Sequence, residues 1–191
     1  MALSYKSIAT RTNKGSGVSD FFYWAPFSSF DTNGIKCPPA APTTNEESVT
    51  VSDDHTFLAD HGFLKVNGSP SVANMEASFI GEAGSLKMMQ KLKVFLPGSE
   101  AELHAAISLI MNEPLIVLVK DSNCKNDSEY WYQLGCDCAG AYIAPEGGFK
   151  TGTNKDGVKG YEITLNYPTN AVLKYTGAIT LPSLDTGNPV P

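Results

Sequence analysis

Apolar positions recur at helical spacing in one well-defined stretch, between Pro97 and Val119. Leu103, Ala106, Ile107, Ile110 and Met111 fall on one face of a helix predicted over Ser99–Asn112. Ser99 stands three residues ahead of Glu102, the spacing at which a hydroxyl and a carboxylate each satisfy an orphan amide of the first turn. Asn112 tolerates a left-handed stop, and Pro114 cannot continue the helix. Leu115–Val119 is then an apolar, β-branched run without polar alternation, the pattern of a strand covered on both faces. The predicted architecture is mainly β, a sheet structure with one helix laid on it.

Elsewhere the period is two. Ala73, Met75, Ala77 and Phe79 alternate with Asn74, Glu76 and Ser78, and Gly81–Gly84 can turn the chain back. Leu86, Met88, Leu92, Val94 and Leu96 then share a face opposite Lys87, Lys91 and Lys93, which predicts a long antiparallel hairpin feeding the helix. Tyr161, Ile163, Leu165 and Tyr167 alternate with Gly160, Glu162, Thr164 and Asn166 in a half-exposed strand. Shorter strands are predicted at Phe21–Trp24 (bent or ended by Pro26), Val49–Val51, Phe63–Val66, Glu129–Leu134 and Ala171–Tyr175. Asp31–Gly34 is a turn signal, residues 36–48 form a loop carrying Pro38, Pro39 and Pro42, and residues 120–128 form a polar loop with Asn123 and Lys125. Residues 1–20 read as an N-terminal arm jointed at Gly15–Gly17, residues 21–181 as one domain, and residues 182–191 as a tail.

Composition agrees with this class. A chain of 191 residues with 42% apolar content can bury a core as one domain, and 17 Gly with 12 Pro favour strands and turns over helices. The charge is 14 basic against 20 acidic side chains, with Arg11 the only arginine, which argues against a grip on nucleic acid through phosphate neutralisation. No apolar run approaches the roughly 20 residues that cross a bilayer, and the first residues lack a basic-then-apolar leader. Synthesis and residence in a cytoplasm are expected, without membrane insertion and with Cys37, Cys124, Cys136 and Cys138 reduced.

Candidate chemistry is sparse. Cys136-Asp137-Cys138 offers two thiolates to a metal, with Cys37 and Cys124 as further donors, but the spacing lacks the two close pairs of a zinc site, so free thiols are expected. Asp53-Asp54-His55 and Asp60-His61 have neither the helical pairing of a zinc protease nor a nucleophile elbow, and read as turn-rich surface. His104 is expected half-exposed on the helix. Gly147–Gly152, with Lys150, departs from phosphate-loop order and reads as a wide hairpin turn. No nucleophile, base and orienting group assemble, so no catalytic residue, cofactor or metal is assigned and the weight moves to binding or structure.

The order of elements carries a resemblance. An aromatic strand, a long loop, the hairpin ending in Lys87-Met-Met-Gln-Lys-Leu-Lys-Val-Phe-Leu-Pro-Gly98, one helix, Pro114–Val119, Gly148–Thr153 and Lys159-Gly-Tyr-Glu-Ile-Thr-Leu165 follow one another. Over roughly residues 20–180 this resembles the tail tube proteins of tailed bacteriophages, most of all versions from phages of Bacteroidetes-type hosts. The resemblance implies a β-sandwich flanked by one helix. Six copies close into a ring, and rings stack into a tube through which DNA passes. It implies a virion tail protein assembled in the bacterial cytoplasm, whose partners are copies of itself and other tail proteins. Asn74, Glu76, Ser78, Glu162, Thr164 and Asn166 are the candidates for a DNA-repelling channel wall. Lys87, Lys91 and Lys93 are expected away from that wall or across a subunit joint, and Pro38, Pro39, Pro42, Asn123 and Lys125 in contacts between subunits. The alternatives are a single-ring terminator or head–tail adaptor protein, and a carbohydrate-binding sandwich using Trp24, Trp131, Tyr130 and Tyr132.

Overall fold

The computed structural model describes residues 18–68, 73–121, 131–152 and 157–183. In chain order the strands begin with β1 (Val18–Pro26), β2 (Thr50–Val51), β3 (Leu64–Asn67), β4 (Asn74–Ile80) and β5 (Lys87–Pro97). The helix α1 (Ala101–Ile110) follows, then β6 (Leu115–Asp121), β7 (Trp131–Leu134) and β8 (Tyr142–Ile143). β9 (Gly148–Lys150), β10 (Gly160–Thr169) and β11 (Leu173–Tyr175) complete the set. They form two sheets, one ordered β2-β11-β7-β6-β1-β3 and the other β4-β5-β10-β8, with β9 also paired to β10. The mainly β fold with a single helix is as the periodicity predicts.

The facing sides of the two sheets enclose the larger core. Phe22, Trp24, Leu115, Val117, Val119 and Leu134 come from the first sheet, and Leu92, Val94, Leu96, Ile163, Leu165 and Tyr167 from the second. The same core takes Leu103, Ile107 and Ile110 from α1. Burying each of these three contributes about 1.5–3 kcal/mol, more together than any cap provides. This explains why α1 forms without the expected capping box. Its N-cap is Glu100, no side chain caps it, and the Ser99 N–H donates to Glu100 Oε2 at 2.9 Å. At the other end Met111 keeps a helical backbone and is exposed, and Asn112 is not left-handed.

The far side of the first sheet is covered as well. Ala25, Ile116, Leu118 and Tyr175 pack there against Phe30, Val51 and Phe63, which the chain between β1 and β3 supplies. Leu115–Val119 is therefore fully buried on both faces, as its unbroken apolar run requires. The loop over residues 36–48 is fixed by bonds of its own. The Thr43 amide and hydroxyl both donate to Glu47 Oε2 at 2.7 Å, and these bonds hold the Glu47 carboxyl below its ordinary range.

Several boundaries shift. Val18–Asp20 belong to β1 rather than to an arm, whose remaining residues lie outside the described ones. Gly148–Lys150 is a strand inside the expected wide turn, because its backbone pairs with Gly160–Glu162. Pro182 and Ser183 are docked, the Ser183 hydroxyl donating to Asp60 Oδ1 at 2.5 Å, while the rest of the expected tail lies outside the described residues.

Candidate functional site

Cross-strand register places the candidate residues. In the second sheet Asn74 stands opposite Lys93, which stands opposite Thr164. The next row is Glu76, Lys91 and Asn166, and Ser78 stands opposite Met89. Directly opposed residues point to the same side of a sheet. So Asn74, Glu76, Ser78, Glu162, Thr164 and Asn166 share one face, the face turned away from the core. Lys87, Lys91 and Lys93 lie on that same face, which corrects the expectation that they stand apart from the candidate wall. Both strands have a period of two, and only the pairing register shows which polar sides coincide.

The wall is uneven in depth and charge. Asn74, Glu76 and Ser78 are exposed, whereas Thr164 is 4% exposed and Asn166 half-buried. Thr164 is a short side chain between Lys93 and the Ala144 backbone, whose N–H donates to the Thr164 carbonyl at 2.7 Å, and its burial does not suit an open channel wall. Lys150 forms an ion pair with Glu162, which holds the Glu162 carboxyl below its ordinary range, with Lys93 adding to the effect. The Asn74 amide donates to Glu76 Oε1 at 2.7 Å. Together the face presents Lys87, Lys91, Lys93 and Lys150 against Glu76 and Glu162. The candidate wall is expected to repel DNA, and this face carries more lysines than carboxylates.

The sheet ends in an open strand. β4 pairs with β5 on one side and is the first strand of its sheet, so its other edge carries no partner among the described residues. Only Met75 among its residues is even half-buried. Ala77 and Phe79 were expected on a buried face. They do lie on the core side, in register with Gln90 and Met88, but the hairpin overhangs the sandwich and leaves Phe79 75% exposed. Ile80 and Leu86 at the turn are exposed too. Gly81 and Gly84 make that turn, both with positive φ that other residues resist.

A second cluster lies at the far end of the first sheet, around His55. Expected at the surface, His55 is 2% exposed among Phe30, Phe63 and Tyr175. Its Nδ1 accepts the Lys36 N–H at 3.1 Å, so Nε2 carries the proton and donates to Gln133 Oε1 at 3.2 Å. The Gln133 amide donates in turn to the carbonyls of Lys36 at 3.0 Å and Gly135 at 2.9 Å. Burial pushes the His55 imidazole down to about 4, against the smaller opposing effect of the Gln133 bond. This network pins Lys36 beside β7. Gly135, with φ +106°, then turns the chain where a Cβ would stand 2.7 Å from the Leu115 carbonyl oxygen.

The consequence is a contact between distant cysteines. Cys37 and Cys136 are joined as a disulfide, their Cα atoms 5.6 Å apart and 99 residues apart in sequence. The expectation of four reduced thiols is thereby corrected for this pair, since spacing along the chain does not show that the loop base docks on β7. Asp137 Oδ1 lies 3.2 Å from Cys37 Sγ and 3.5 Å from Cys136 Sγ, and the Asp137 N–H points at Cys37 Sγ from 3.1 Å. Cys138 is an exposed free thiol, pushed up chiefly by its hydrogen bond with Asp137.

Pro38, Pro39 and Pro42 thus sit on a loop fastened to the first sheet, whereas the lysines lie on the second. Asn123, Lys125 and Tyr130 fall outside the described residues, as does Cys124. Sequence reasoning placed His55 at the surface and gave no role to Gln90, Gln133 or the Asp137 side chain. Gln90 is fully buried, with its amide donating to the Ala171 carbonyl at 3.2 Å, at a position that continues the apolar face of β5. Beside α1 a groove of about 340 Å³ is lined by residues including Ile107, Ile143, Ile163 and Tyr161, and nearby the half-buried His104 Nδ1 meets the Tyr161 hydroxyl at 2.5 Å. No family model, curated protein or solved structure matches this chain.

Proposed function

We propose that this chain is a structural subunit of a bacteriophage tail tube. Copies close into a ring, rings stack, and DNA passes along the polar face of the second sheet. The observation that carries the reading is the outer edge of β4, seven residues long, mostly exposed and without a strand partner among the described residues. A long unpartnered edge without proline is a template for pairing with another chain, and a closed ring is the arrangement that removes every such edge. The overhanging apolar turn at Phe79, Ile80 and Leu86 gives the same hairpin a second surface that water covers poorly.

In this reading the bare face of the second sheet lines the channel, because the far face of the first sheet is already covered by packed loops. Its lysines face the DNA. Glu162 compensates Lys150, and Glu76 stands opposite Lys91, so the wall presents a dilute positive charge and not the dense cluster that holds nucleic acid. The chain's partners are copies of itself and other tail proteins, and no cofactor is involved.

Electron microscopy of the purified protein over a range of concentrations tests this. Stacked rings or tubes are expected. Isolated rings that never stack would transfer the assignment to a single-ring terminator or adaptor. Single particles at every concentration would reject both. The carbohydrate-binding reading loses one of its tryptophans, since Trp24 is 3% exposed inside the core.

A further inference from the structure

The Cys37–Cys136 cluster holds more than a crosslink. Cys37 Sγ, Cys136 Sγ and a carboxylate oxygen of Asp137 lie within 4.8 Å of one another. We propose that in the reduced chain these three groups form a binding site for a thiophilic divalent cation of the zinc class, so that one pair of sulfurs serves as a disulfide when oxidised and as a metal clasp when reduced. This inference does not depend on the tail tube reading.

The donor chemistry fits. Zinc takes thiolates at about 2.3 Å and carboxylates at about 2.0–2.2 Å in tetrahedral sites, which sets neighbouring donors about 3–4 Å apart. Asp137 Oδ1 already stands 3.2 and 3.5 Å from the two sulfurs. The sulfurs are bonded in the oxidised state, and reduction frees them to separate to that spacing. The Asp137 N–H directed at Cys37 Sγ from 3.1 Å is the kind of backbone bond that stabilises a metal-bound thiolate.

The surroundings prepare the site before any ion arrives. The His55–Gln133–Lys36 bonds fix the backbone one residue before Cys37, and paired backbone bonds between Cys136 and Ala139 close the tight turn that carries Asp137. Both ends are therefore held by the fold independently of the crosslink. Reduction of the disulfide consumes two electrons and two protons, both supplied by a dithiol reductant that is itself oxidised to a disulfide. Cation binding then releases two protons, so affinity rises with pH.

The test uses the full chain carrying Cys124→Ser and Cys138→Ser, which leaves Cys37 and Cys136 as its only thiols. The protein is reduced, freed of reductant without air, and titrated with Co²⁺ as a spectroscopic stand-in, followed by Zn²⁺. Expected are one Co²⁺ per chain, thiolate-to-cobalt charge-transfer and tetrahedral absorption bands, and displacement by Zn²⁺. Oxidising the same sample should abolish the bands, and renewed reduction should restore them. Asp137→Asn, a change at an exposed position, should weaken Co²⁺ binding at least tenfold. Equal spectra for oxidised and reduced protein, or unchanged affinity in Asp137→Asn, would overturn the proposal. The redox comparison is made on a single polypeptide, so it stands even if a Cys37 variant fails to fold.

Discussion

His55 is enclosed by aromatic rings, and both its nitrogens are engaged in the neutral form, so a second proton has no acceptor to meet. Its folded value of about 4 lies below the ordinary 6.5. Between those values the unfolded chain binds more protons than the folded one. The contribution of neutral His55 is complete above about pH 6.5 and is lost as pH falls toward 4, a change of about 3 kcal/mol in full. Denaturant unfolding at pH 7.5 and 4.5 should show that loss in the native chain, and His55→Gln should flatten the slope by a corresponding amount. An equal slope in both would mean that His55 is not buried neutral. Nothing in Asp53-Asp54-His55 marks the histidine as core, because the groups that enclose it arrive from Phe30, Phe63, Gln133 and Tyr175. The disulfide partner of Cys37 was hidden for the same reason. Closing a loop of about 100 residues is worth up to about 4–5 kcal/mol in the chain-entropy account, so reducing the pair without metal should lower the unfolding free energy by a few kcal/mol.

At the scale of elements, the periodicity was most informative where one face meets the core. The β4–β5 hairpin, α1 and the doubly covered β6 were all legible. What failed was detail decided by packing: the capping box at Ser99 gave way to burial of Leu103, Ile107 and Ile110, and the alternation of β4 ran past the end of the sandwich that should have covered it. α1 offers a paired check. Ile107→Ala should cost about 2–5 kcal/mol in equilibrium unfolding, whereas Leu109→Ala, at a position 78% exposed, should change stability by less than about 0.5 kcal/mol. Comparable losses from both would mean that the helix does not pack on the core by the face described. For the hairpin, Phe79→Lys should leave the unfolding midpoint of the monomer nearly unchanged and sharply reduce self-association measured by light scattering.

For the whole molecule, the two sheets differ in how they end. The first is covered on both faces. The second has a packed inner face, a polar outer face and an edge at β4 that no described strand completes. The polar character of Asn74, Glu76, Ser78, Glu162 and Asn166 was legible in the alternation, but their union with three lysines on one face depends on register and was not. The net charge of the chain says nothing of this surface, because its acidic excess is spread over other parts. The proposed assembly makes the β4 edge its central joint, and amide hydrogen exchange across residues 74–80 reads that joint directly. Compared at low and high protein concentration, these amides should become strongly protected as copies associate, while the buried amides of β6 remain protected throughout. Unchanged rapid exchange in 74–80 at concentrations where particles have formed would contradict pairing through this edge.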